Sequence, residues 1–294
     1  MTVLLLACVA PTPTTPSGGT TLKPGPQAAA DTDSALDGAE TGLGQDTGAG
    51  QDTAERPSDY RQPGPWSVTI QIGSQLTATG CALDYRVVSA QAPVGEVVLA
   101  HGFMRDGDQM MGWAEHLASW GLRVTVPDLC WSGAFNADQA KNAQDIGELV
   151  SGPLALVGHS AGGLAVLLAA RGLDVTALVG LDPVEQFGQD NSGPAVDVKA
   201  PTLALFGEPG SCNSDNSGAG FYDAVQGSWL FDLAGADHCD FENPSDAGCE
   251  AFCSASGGAW TDDDRRRVVR GALTAWVLQD EVEDHLASDL LSVR

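Results

Sequence analysis

Residues 153–171, PLALVGHSAGGLAVLLAAR, decide the reading of the fold. Pro153–Val157 is a short, continuous apolar run, the pattern of a buried central strand. Ala161–Arg171 has helical length and composition. Between them lies Gly158-His159-Ser160-Ala161-Gly162, a G-x-S-x-G sequence at a strand-to-helix junction. Small residues on both flanks of Ser160 allow a turn sharp enough to lift its Oγ above a sheet. The helix that follows directs its N-terminal N–H groups and positive end at the same spot.

The same alternation continues in both directions. Trp66–Ile72, Leu83–Ser89, Glu96–Ala100, Leu122–Val126, Val175–Leu181, Thr202–Phe206 and Ser228–Leu233 read as strands. Gln109–Trp120, Ala137–Val150 and Gly220–Val225 read as helices. A last helix starts at Thr261, whose hydroxyl and Asp264 have capping-box spacing. Its Arg265–Arg267 triplet stands beside three aspartates and is expected to form a solvated ion-pair network, not a nucleic-acid contact. The pattern predicts an α/β protein: a mostly parallel central sheet with helices on both faces. Sites in such sheets lie at the carboxyl ends of the strands.

The residues just after the strands are therefore the candidates for chemistry. Ser160 is the candidate nucleophile, and a serine needs a base. His238 follows the last of these strands, in Ala236-Asp237-His238-Cys239-Asp240, and is the best-placed histidine. The base needs a carboxylate to hold its tautomer. Asp182, ending the strand in GLDPV, is preferred over Glu208 in FGEPG, because it directly ends a central strand and Pro183 stiffens the turn. The chain order Ser160, Asp182, His238 then fits a strand–serine–helix site of this type. Two backbone donors are needed for an oxyanion. The N–H of Ala161 is one, and that of Phe103, in His101-Gly102-Phe103-Met104, is the other. Phe103, Met104 and Trp131 are candidates to line an apolar pocket.

As a set, VVLAHGF, HLASWG, RVTVPD, GHSAGG and ALVGLDPV resemble the α/β-hydrolase superfamily, and most closely its chlorophyllase and dienelactone-hydrolase-like branch. The HLASWG region and Cys239 beside the candidate base are also similar to bacterial cutinases and polyester hydrolases. The likeness covers Glu96 to about Phe241. It implies the α/β-hydrolase fold, a serine esterase acting on small-molecule or polymeric carboxylic esters, and a triad acid at Asp182, with no metal or cofactor. Gly210 and Ala161 depart from the polyester-hydrolase and chlorophyllase patterns at one position each. The same triad also serves peptidases and thioesterases, and a non-catalytic binding protein keeping only the fold is a rival of a different class.

Composition narrows the setting. The chain has 294 residues, 14 Lys+Arg against 39 Asp+Glu, and a net charge of −25, which excludes nucleic acid and anionic membrane surfaces as partners. Hydrophobic residues make up 43%, enough for a core. No apolar run reaches the ~18 residues of a membrane span. Leu5-Leu6-Ala7-Cys8 resembles the lipobox of bacterial lipoproteins, so residues 1–8 are expected to be a leader with a lipidated Cys8 as membrane tether. Residues 9–64, rich in Pro, Thr, Gly and Asp, are expected to be a flexible linker, and 65–294 a monomeric catalytic domain. Seven cysteines leave six beyond Cys8, an even number that suits disulfides in an exported protein. Residues 239–260 hold three of them and four acids. The expectation there is a disulfide-stapled loop, with Cys212 paired to Cys239. Zinc on Cys239, Cys249, Cys253 and His238 is disfavoured because His238 serves better as the base, and the acids carry no calcium-loop signature.

Overall fold

The computed structural model describes residues 59–150, 152–185, 195–253 and 261–294. The leader-like segment, with Cys8, and most of the expected linker lie outside these residues. Nine strands form one sheet in the order β1-β2-β4-β3-β5-β6-β7-β8-β9. They are β1 (Val68–Leu76), β2 (Ala82–Ala90), β3 (Gly95–Ala100), β4 (Leu122–Pro127), β5 (Leu154–His159), β6 (Val175–Leu181), β7 (Thr202–Phe206), β8 (Trp229–Leu233) and β9 (Leu291–Val293). From β4 through β8 the pairing is parallel; β1–β2, β2–β4 and β8–β9 are antiparallel. The chain is thus an α/β protein with a mostly parallel sheet.

The continuous apolar runs are explained by burial on both faces. Side chains alternate along each central strand. Val97, Leu99, Ala155, Val157, Val179 and Leu205 enter one core, under α1 (Met111–Ser119) and the long helix Asp262–Leu278. Val98, Ala100, Leu154, Leu156, Leu178 and Phe206 enter the other, under α2 (Gln139–Glu148) and α3 (Ala161–Ala170). After β3 the chain crosses to β4 over one face; after β4 it returns to β5 over the other. The strand order therefore reverses between β3 and β5, and a crevice opens at their carboxyl ends. His101–Met104 and Gly158–Gly162 both sit there.

Several details depart from expectation. Tyr60, in the expected linker, is buried; its ring meets Trp120 and His285, and its hydroxyl donates to Asp280. Val68 of β1 packs on the core, but Ile70, Ile72 and Leu76 face outward, with Ile72 84% exposed, because nothing among the described residues covers that part of the edge strand. The short helices Ala247–Cys253 and Val282–Leu286, and β9, were not legible as regular structure. Thr261 caps the long helix as its spacing predicts, with Thr261 Oγ1 accepting from the Asp264 N–H at 3.2 Å. The arginine triplet is only partly solvated. Arg267 pairs with Asp263 at the surface, but Arg265 is buried and its Nε donates to Asp240 at 2.5 Å. Helical geometry puts Arg265 on the face turned to the sheet, where it ties the helix to the His238 turn.

The six described cysteines form three disulfides, Cys81–Cys130, Cys212–Cys253 and Cys239–Cys249. The expected Cys212–Cys239 pair is not made. Cys249 and Cys253 stand one helical turn apart on the same face, so each takes a partner from a different loop. No helix among the described residues is long and apolar enough to cross a membrane.

Candidate active site

Ser160 occupies the turn between β5 and α3 with φ 55° and ψ −126°. This is a rare conformation for a residue with a Cβ, costing on the order of 1–3 kcal/mol. The neighbouring glycines explain why the turn closes so tightly. A Cβ on Gly158 would lie 2.3 Å from the Gly162 carbonyl oxygen, and one on Gly162 would lie 2.4 Å from the His101 carbonyl oxygen. Only hydrogen at both positions lets the helix start so near the strand ends. The Ser160 N–H and C=O are both fixed, the first to Leu181 O at 3.0 Å and the second by Val184 N–H at 3.1 Å and Gly163 N–H at 2.9 Å.

The loop after β3 comes against this turn. A Cβ on Gly102 would meet Ser160 Cβ at 2.9 Å. His101 is buried, and burial lowers its pKa, so the ring is neutral. Its Nε2 accepts from the Leu129 N–H at 2.8 Å, which leaves the proton on Nδ1, and Nδ1 donates to the Gly102 carbonyl at 2.8 Å. That carbonyl and the Phe103 N–H belong to one trans peptide and point in opposite directions. Pinning the first aims the second. The Met104 N–H is occupied by Ser132 O at 2.7 Å. The N–H groups of Phe103 and Ala161 have no partner among the described residues.

His238 begins a tight turn, His238–Phe241, after β8. Asp237 and Asp240 form a reciprocal capping box around it, and Trp113 of α1 donates its Nε1–H to Phe241 O at 2.9 Å. His238 Nδ1 lies 2.6 Å from Asp182 Oδ2. Asp182 is fully buried. Its carboxylate also accepts from the Gly207 N–H at 3.0 Å and from Asn213 Nδ2 at 3.2 and 3.3 Å. Glu208 lies on the surface instead, where Oε1 accepts from the Gly235 N–H at 3.0 Å. The direct hydrogen bond from Ser160 Oγ to His238 is not formed here; such contacts are often loose until substrate binds.

Ser160 and His238 line a cavity of about 680 Å³. Phe103, Met104, Ala134, Val184 and Phe252 supply apolar wall, with Phe103, Met104 and Phe252 exposed. Trp131 does not line it, contrary to expectation. Its Nε1–H donates to Thr79 and Asp145, and Lys141 sits over its ring at 3.9 Å, so it is spent on joining α2 to the β1–β2 turn. Arg105 and Glu242 form a bidentate pair in the cavity wall, at 2.6 and 2.7 Å, and burial pushes Glu242 above the usual carboxylate range against the pull of Arg105. His159 beside it is fully buried; burial first, and the nearby His238, hold its pKa well below the ordinary value. Its neutral ring donates from Nε2 to His238 O at 3.2 Å.

The sulfurs of Cys239, Cys249 and Cys253 cluster, but all are oxidised as disulfides and offer no thiolate to a metal. The four acids of the segment, Asp240, Glu242, Asp246 and Glu250, each face an arginine: Arg265, Arg105, Arg105 again, and Arg266. Asn213, Gly207, Arg105 and Glu242 were not legible as site residues, since nothing in Gly-Ser-Cys-Asn-Ser or the other local stretches indicates where those groups point. No protein-family model matches the chain, and no curated protein matches it.

Proposed function

We propose that the protein is a serine hydrolase of the α/β-hydrolase type that cleaves carboxylic esters through an acyl-enzyme. The observation that carries this reading is the buried Asp182–His238 bond reaching the same cavity as a serine held at positive φ between two N–H groups that have no partner among the described residues. In the reaction, Ser160 Oγ attacks the ester carbonyl while His238 Nε2 takes its proton. The carbonyl oxygen becomes an oxyanion that accepts from the Phe103 and Ala161 N–H groups. His238 then protonates the departing alkoxide, leaving the acyl group on Ser160. Water, deprotonated by His238, attacks that acyl-enzyme and releases the acid. Asp182 stays ionised throughout, holding the proton on Nδ1 and stabilising the imidazolium.

The apolar walls and the exposed Phe103, Met104 and Phe252 at the cavity favour a bulky lipophilic or polymeric ester over a small polar one. The three disulfides fit an oxidising compartment, and anchoring through a lipidated Cys8 is part of the same proposal. The test is turnover of nitrophenyl esters of rising acyl length by the wild type and Ser160→Ala. Activity that vanishes in the variant supports the reading; full activity in Ser160→Ala refutes it. A folded protein that neither turns over any ester nor reacts with a fluorophosphonate is the non-catalytic binding protein.

A further inference from the structure

Resting on the serine-hydrolase reading, we infer that Asn213 is the positioning residue for the triad acid and that the Cys212–Cys253 disulfide holds it in place. A buried carboxylate must be compensated by hydrogen-bond donors. Asp182 has a backbone N–H from Gly207, the imidazole of His238, and the amide of Asn213, which spans both of its oxygens. Asn213 is itself 1% exposed, and every polar atom of its side chain is used. Nδ2 also donates to Glu208 O at 2.9 Å; Oδ1 accepts from the Gly210 N–H at 2.8 Å and the Asn216 N–H at 3.2 Å. The reversed amide would set Oδ1 against three acceptors and the NH₂ against two donors, so the orientation is unique.

The loop that presents Asn213 is knit by turn hydrogen bonds of its own, Asp215 N–H to Gly210 O at 2.9 Å and Ser217 N–H to Asn213 O at 3.1 Å. Ser214, Asp215 and Asn216 follow with φ of 50°, 55° and 60°, three successive non-glycine residues in the left-handed region. Two further ties join this loop to the rest of the site. Asn216 Nδ2 donates to Gly207 O at 3.1 Å, and Cys212, next to Asn213, is bonded to Cys253. Cys253 shares its short helix with Cys249, which is bonded to Cys239, the residue after His238. One helix is therefore joined covalently to the loop of the base and to the loop that steadies the acid. The spacing of the Asp182–His238 pair depends on this clamp, although neither Asn213 nor the helix takes part in the chemistry.

The test measures kcat and KM for Asn213→Asp and Asn213→Ala on a soluble nitrophenyl ester, with thermal unfolding of each. Asn213 does not line the cavity, so kcat is expected to fall roughly 10- to 100-fold with KM near the wild-type value, the penalty of a slightly misplaced group. Asn213→Ala removes the amide without adding a charge, so it lowers kcat of the folded protein with KM unmoved, whereas a merely structural loop residue lowers the unfolding temperature and leaves kcat where it was. Wild-type kcat in the folded Asn213 variants overturns the inference while Ser160→Ala still abolishes activity; a Ser160→Ala protein that keeps activity refutes the reading beneath it instead. Should neither Asn213 variant fold, the paired Cys212→Ser and Cys253→Ser protein decides: its tether is cut, and an unchanged kcat overturns the proposal.

Discussion

Replacing Asp182 with asparagine separates the two carboxylates that the local sequence leaves in competition. The side chain keeps its shape but loses its charge and one acceptor. Asp182 now receives three donors: the Nδ1–H of His238 at 2.6 Å, the Gly207 N–H at 3.0 Å and the Asn213 amide. An asparagine has one oxygen and one NH₂ to meet them. Turning its oxygen to Gly207 and Asn213 satisfies two donors and presents NH₂ to His238. The imidazole then accepts at Nδ1 and carries its proton on Nε2, where it cannot take one from Ser160. Loss of the correct tautomer costs about 10⁴ in kcat in the serine-protease triad, which corresponds to about 5.5 kcal/mol of barrier. A fall of roughly 10³–10⁴ in kcat on a nitrophenyl ester is expected, with fluorophosphonate labelling slowed in parallel. Glu208→Gln, altered at an exposed carboxylate that caps Gly235, is expected to stay within about twofold, as surface changes usually do. An Asp182→Asn protein within tenfold of wild type, or a Glu208→Gln protein that is inactive, refutes the assignment of the acid.

Gly158→Ala sets a methyl 2.3 Å from the Gly162 carbonyl, so α3 must shift; a loss of about 1–3 kcal/mol in urea unfolding and of about 10² in kcat is expected. His116 is buried, and burial first, then Arg270, lower its pKa to about 4, while its Nε2–H donates to Tyr60 O. Its folded value lies below the ordinary 6.5, so its contribution is complete above pH 6.5 and is lost as pH falls toward 4. Wild type should therefore lose about 2.5 kcal/mol more than His116→Gln between pH 8 and 4.5, and equal losses in denaturant titrations refute it. The Cys81–Cys130 bond closes a separation of 49 residues; its removal by paired Cys→Ser substitutions is expected to cost about 4 kcal/mol of unfolding free energy while leaving KM unchanged, because neither cysteine lines the cavity.

The legible part of the candidate site was its serine turn. G-x-S-x-G announces Ser160 because part of the constraint is local: a Cβ on Gly158 would strike the Gly162 carbonyl within the same five residues, while Gly162 is required by the loop after β3 at His101. The Phe103 and Ala161 N–H groups, proposed as oxyanion donors, were named because such a role needs only backbone N–H groups at two loop positions. Trp131 and Arg265 were misread because an aromatic in a loop and an arginine among aspartates say nothing about which partner lies across the fold. Trp131 met Thr79 and Asp145, and Arg265 met Asp240.

By itself the sequence determined the alternation of apolar runs and helices, hence a mostly parallel sheet, along with the strained serine turn and the Thr261 cap. Each of these depends on sterics and hydrogen bonds among residues within a few positions of one another. Tertiary structure alone decided which carboxylate meets His238, the disulfide map and the donors around that carboxylate. Asp182 meets His238 because β6 and β7 pair with Leu181 opposite Leu205, which brings the Gly207 N–H and Asn213 onto its carboxylate and leaves Glu208 outside. The cysteines pair as they do because one helical turn separates Cys249 from Cys253, aiming two neighbouring sulfurs at two loops. Both outcomes are set by strand register and helix placement, quantities that the whole packed chain fixes and no short stretch of it contains.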